Sequence, residues 1–203
     1  MKNINYPSEV VAGNSPLATF VHAVYPVSDQ VIHYINTHSH SKHVGRGDHL
    51  LRAGEVCKHL YFIQKGVIRG YVKDGSKEIT TWISTENDLV SAIRGLQLQI
   101  PSTEYIQAIE ACDLIAMPLE ALQYLYDHHI EMNIVGRKVL EQYYSNAEDR
   151  AFISRIPNAS KRYHHFLETE STLANRISLK YIASYLGMTI ETLSRIRGKR
   201  SKM

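Results

Sequence analysis

Only two cysteines, Cys57 and Cys112, occur in the 203 residues, and they stand far apart. Two thiols supply neither the four ligands of an iron–sulfur cluster nor those of a cysteine-rich zinc site. They are read as small core hydrophobes, not as a disulfide. No apolar run reaches the ~20 residues that a membrane-spanning helix needs. The opening Met1-Lys2-Asn3-Ile4-Asn5-Tyr6-Pro7 has no stretch of signal-peptide character. A cytoplasmic protein without a membrane partner is therefore expected. Internal repeats and low-complexity segments are missing. So is any Ser/His/Asp set, phosphate-binding glycine loop or carboxylate pair, which argues against an enzyme and against a cofactor.

What is present is 44% hydrophobic residues, enough to bury a core over one large or two small domains. The net charge of +3 hides an asymmetry. Residues 1–127 hold 10 Lys and Arg against 13 Asp and Glu; residues 128–203 hold 13 against 7. Positive charge gathered at one end fits a polyanion partner, and equally a solvated charged face.

Between residues 45 and 118, Gly47, Gly54, Gly66 and Gly75 punctuate the chain at short intervals. Residues 60–63, 67–72, 78–83 and 104–109 lie between turns and are rich in β-branched and aromatic side chains, which predicts strands of an antiparallel barrel or roll. The pattern changes at Leu119. Residues 119–127 predict a short helix after Pro118, and 128–154 a long one, with Met132, Val135, Val139 and Tyr143 spaced by three or four. Leu140, Tyr144 and Ala147 widen this stripe, while the continued seam reaches the polar Asn146 and Arg150. The helix packs either on its own domain or on a twin; its length favours the twin, since it outruns a small roll. Residues 156–160, which contain Pro157, read as a linker.

The sharpest pattern lies at 178–197. Ser178 is placed to cap a first helix, whose face is formed by Ile182, Ala183 and Leu186. Gly187 suits a left-handed turn, and Thr189 suits the cap of a second helix. Leu193 and Ile196 then face inward. Glu191, Thr192, Ser194 and Arg195 are left outward, groups able to read base edges or hold phosphates. From Arg195 onward come Arg197, Lys199, Arg200 and Lys202 and no acid. These features predict a helix-turn-helix that binds double-stranded DNA.

This segment resembles the DNA-binding element of the Crp–Fnr (catabolite activator) family. Gly47-Asp48-His49-Leu50-Leu51-Arg52-Ala53-Gly54-Glu55 and Leu60-Tyr61-Phe62-Ile63-Gln64-Lys65-Gly66-Val67-Ile68-Arg69 resemble that family's cyclic-nucleotide-binding-like roll. Lys161-Arg162-Tyr163 and Asn175-Arg176-Ile177-Ser178 resemble its lead-in to the helix-turn-helix. The likeness runs from about residue 26 to 198. It implies an α+β chain in three parts: a roll with a helical lead-in over 1–127, a long dimerisation helix over 128–155, and a helix-turn-helix domain over 156–203 with a reduced or absent wing. It further implies a homodimer reading an inverted repeat in successive major grooves, about 34 Å apart, with RNA polymerase as a partner. Glu191 and Arg195 then fall on base-reading positions and Thr189 and Ser194 on phosphate or base contacts, with Ser178 and Thr192 as further DNA-binding candidates.

The family's effector pocket is altered. Its Gly-Glu and Arg-Ser pairs fall here on Ser91-Ala92 and Ser102-Thr103, so both charged ligand groups are gone. Arg94, Tyr105 and Trp82 are the remaining candidates to line a pocket, for an effector of unknown identity or for none. Two other classes compete with this reading. A sensor module acting through a protein partner is disfavoured by the intact helix-turn-helix. A cupin-like metal enzyme built on His38, His40 and His43 lacks the expected carboxylate ligand, and no metal is expected.

Overall fold

The computed structural model describes residues 13–200, with side chains as far as Gly198. Two helices lead in. Helix α1 (Pro16–Val24) starts where the Ser15 hydroxyl accepts from the Ala18 N–H, with Pro16 in the first turn, where a missing N–H costs nothing. Helix α2 (Asp29–His38) follows. Eight strands and one short helix then build the roll: β1 (His40–Val44), β2 (His49–Leu51), β3 (His59–Lys65), β4 (Ile68–Asp74), β5 (Lys77–Ser84), β6 (Leu89–Val90), α3 (Ile93–Leu98), β7 (Tyr105–Ala108) and β8 (Cys112–Pro118). They form two antiparallel sheets, in the orders β1-β8-β3-β6 and β2-β7-β4-β5.

Ile63, Ile68, Ile106 and Leu114 fill the space between the sheets and are fully buried. Each buried side chain of this size contributes about 1.5–3 kcal/mol relative to exposure. Gly70 passes flat against the Trp82 indole, where a Cβ would come within 2.1 Å of the ring, so no larger residue fits. The four expected strands fall on β3, β4, β5 and β7. Strand β1 escaped notice because four of its five residues are exposed and polar. Strand β8 is buried on both faces and so shows no alternation.

Helices α4 (Leu119–His128) and α5 (Ile130–Arg155) come next. The chain closes with α6 (Ala159–Thr169), capped by Asn158, then α7 (Leu173–Arg176), α8 (Leu179–Tyr185) and α9 (Ile190–Arg200). Their core unites Phe166, Leu173, Ile182 and Leu193 with Val67 and Ile109 of the roll. The helical unit and the roll thus share buried surface. Among the described residues no helix is long and apolar enough to cross a membrane.

Candidate nucleic-acid interface and effector cleft

The turn between α8 and α9 is a complete C-terminal cap. The Met188 N–H reaches the Ala183 carbonyl at 3.0 Å and the Gly187 N–H reaches that of Ser184 at 3.2 Å. Gly187 has φ +61°, the left-handed conformation this double bond requires. Ser178 caps α8 by accepting from the Lys180 N–H, so its hydroxyl is occupied. The Thr189 hydroxyl accepts from the Thr192 N–H at 3.2 Å and starts α9. Ile182, Ala183, Leu186 and Leu193 are buried, which turns Glu191, Ser194 and Arg195 outward, all exposed. Glu191 is held below its ordinary pKa by its own backbone N–H and by the Thr189 hydroxyl. It therefore stays anionic, able to accept from a base amino group.

Arg197 differs from the rest of the basic end. It is half-buried, and its guanidinium donates to the Ala174 carbonyl at 3.3 Å. One residue beyond Ile196, it lies on the inner side of α9. The side chains of Lys199 and Arg200, and all of Lys202, lie outside the described residues.

Of the long-helix residues, Met132 and Val135 are only 2% and 3% exposed, packed with α1, α2 and α4 in the chain's own core. They are not available to a twin, contrary to the expected seam. Val139 is partly buried against the same core, and Tyr143 is exposed. The apolar side chains of α5 left most in the open are Ile130 (77% exposed), Leu140 (56%), Tyr144 (66%) and Phe152. Leu140 and Tyr144 border an apolar groove of about 870 Å³ that also includes Leu89, Ile93 and Leu96 of the roll.

The seven expected effector residues do not share one site. Trp82 and Ser91 line a cleft of about 340 Å³ between the roll, α5, α6 and α8. The other five do not border it. Ala92 is buried, and Arg94 and Thr103 are exposed. The Ser102 hydroxyl is spent on the Glu104 backbone. Tyr105 stacks on Tyr71 at 4.7 Å. The Trp82 indole donates to Glu104, whose carboxyl is pushed up by burial. The candidate metal-ligating histidines diverge: His38 stacks on Tyr34, and His43 pairs with Asp113. Among the described residues no three His, Cys, Asp or Glu side chains are grouped to hold a metal ion.

Sequence reading missed the contacts that join the two units. Arg69, 2% exposed, is bonded to Gln107, Thr80 and Glu78, and its guanidinium lies between the rings of Tyr71 (4.1 Å) and Tyr181 of α8 (4.4 Å). Arg176 bridges Glu86 and Glu110. The available signal was the stripe Tyr181, Ser184 and Tyr185, at helical spacing and flanking the face of Ile182, Ala183 and Leu186.

A two-sheet roll followed by a long helix and an exposed recognition helix is the arrangement of a DNA-binding regulator. The family description "Cyclic nucleotide-binding domain" matches residues 41–129. The "Anaerobic regulatory protein" of Haemophilus influenzae is 29% identical over 177 residues, which cover 80% of this chain and 67% of the relative. The "Fumarate and nitrate reduction regulatory protein" of Yersinia pestis is 27% identical over 174 residues, covering 79% and 68%. The solved structure of FixK2 from Bradyrhizobium japonicum superposes with a TM-score of 0.70 at 18% identity, covering 81% of this chain and 85% of that one. These likenesses support a DNA-binding transcriptional regulator of the Crp–Fnr type.

Proposed function

We infer that the chain regulates transcription in the cytoplasm as a homodimer that reads an inverted repeat. The observation that carries this reading is α9, which exposes Glu191, Ser194 and Arg195 on one face while Leu193 anchors the other. Arg195 is suited to a guanine edge, and Thr189, Thr192 and the basic residues after 198 to phosphates. The groove beside Leu140 and Tyr144 is the surface on which a second copy of α5 is seated. RNA polymerase is the expected protein partner. The segments 1–127, 128–155 and 156–203 then act as sensor, dimer helix and DNA reader. Selection from a random duplex library with purified protein tests this: an enriched palindrome supports it, and an unenriched pool overturns it.

A further inference from the structure

The cleft of about 340 Å³ lies at the small end of the range of ligand pockets, about 300–1,000 Å³. Each wall comes from a different part of the chain. The roll contributes Asp88 and Ser91, α5 contributes Asp149 and Arg150, and α6 and its cap contribute His165 and Glu170. Three carboxylates thus face one guanidinium. None of the three forms an ion pair with Arg150 or His165 among the described residues, so the charges in this cleft are not consumed by each other.

Two further polar groups are waiting. Among the described residues the Ser91 hydroxyl, on a residue only 4% exposed, has no hydrogen-bond partner, and neither has the buried Nε2 of His165. A buried polar group left unpaired costs about 1–3 kcal/mol, so a folded chain that keeps two in one cleft favours whatever satisfies them.

We propose that this cleft binds a small molecule carrying an ammonium group, an amine or an amino acid, and that the ligand sets how the roll and the helix-turn-helix unit sit together. The proposal rests on the reading of the chain as an effector-responsive regulator and supplies the effector's chemical class. The ammonium is held by Asp88 and Glu170, and Ser91 adds a neutral hydrogen bond. Arg150 receives the carboxylate when the ligand has one. The Asp88 carboxyl is raised chiefly by burial, and that of the solvent-exposed Glu170 by desolvation and then by the Asp88 charge, a cost that a bound cation relieves. A ligand spanning Asp88 and Glu170 touches the roll and the reader at once, so it binds the docked arrangement differently from any other and shifts the balance between them.

The test is calorimetric titration of the full chain with two matched pairs, agmatine with arginine and histamine with histidine. Cyclic AMP and magnesium serve as controls without an ammonium group. One of the four binds once per chain with a sub-millimolar Kd, and neither control binds. Glu170→Gln weakens it about tenfold or more, and Ser91→Ala about threefold. Arg150→Gln levels any preference for the amino acid over its amine. Circular dichroism of each variant identifies a fold change, and Arg195→Ala leaves ligand binding intact. Failure of all four probes at millimolar concentration, or binding that survives Asp88→Asn with Glu170→Gln, overturns the proposal. Operator binding is measured on the same protein. A chain that binds operator but none of the probes keeps its place as a regulator and loses only this site. A chain that binds no DNA loses the regulatory reading, whatever the cleft holds.

Discussion

The Ser184 hydroxyl closes the open edge of β5 at Thr80. It accepts from the Thr80 N–H at 2.9 Å and donates to the Glu78 carbonyl at 2.9 Å. Strand β5 is the last of its sheet, so these groups have no neighbouring strand to pair with. One side chain of α8 thereby ties the DNA-reading unit to the roll. Ser184→Ala leaves both backbone groups without this partner and is expected to cost about 1–2 kcal/mol in chemical denaturation. It should also speed proteolysis at residues 156–158. Unchanged cleavage would show that the tie is not used in solution.

Arg195 and Arg197 are expected to separate cleanly. Arg195→Ala should cost about 1–3 kcal/mol of operator affinity and relax preference at one base pair. Arg197→Ala removes the bond to the Ala174 carbonyl and should lower stability by about 1 kcal/mol while leaving sequence preference intact. Competition binding against single-base operator variants decides between the two roles.

On α5, Leu140→Asp should give monomers of normal stability, because Leu140 packs on nothing in the chain's own core. Val135→Asp should instead unfold the chain, since it buries an unpaired charge among apolar neighbours. Light scattering with a thermal melt separates these outcomes. A dimeric Leu140→Asp variant would move the interface elsewhere.

Two carboxyls at the junction of the units respond oppositely to pH. Hydrogen bonds from Arg176 hold Glu86 at about 2, below its ordinary 4.5. Its contribution is complete above 4.5 and is lost as the pH falls through about 2. Glu170 is raised to about 7, by desolvation first and the Asp88 charge second, with Asp149, Arg150 and His165 facing the same cleft. Its contribution is complete below 4.5 and is gone once the pH rises through about 7. These two groups therefore place their joint maximum near pH 4.5–5. Denaturation across pH 3–8 should show Glu86→Gln flattening the acid limb and Glu170→Gln the other.

Cyclic AMP should not bind at micromolar concentration. The places of the family's ligand groups hold the buried Ala92 and a Ser102 whose hydroxyl is spent on the Glu104 backbone. Neither compensates a phosphate leaving water. Calorimetry at millimolar ligand checks this, and one-to-one binding would show that another cation in the roll receives the anion.

The reader was legible in the sequence because its signals are local. Ser178, Gly187 and Thr189 act through backbone groups within a few residues, and the spacing of Ile182, Leu186 and Leu193 names the inner face without knowledge of the rest of the chain. The turns of the roll were readable for the same reason. Helix α5 was not, because apolar residues cover more than one of its faces. Spacing alone cannot say that Met132 and Val135 meet α1 and α4 while Leu140 and Tyr144 are left free. The cleft is the extreme case. Asp88, Ser91, Arg150 and Glu170 come together only when α5 and α6 pack beside the roll. Such long-range packing depends on burial and on hydrogen bonds between distant segments, and neither leaves a period in the chain.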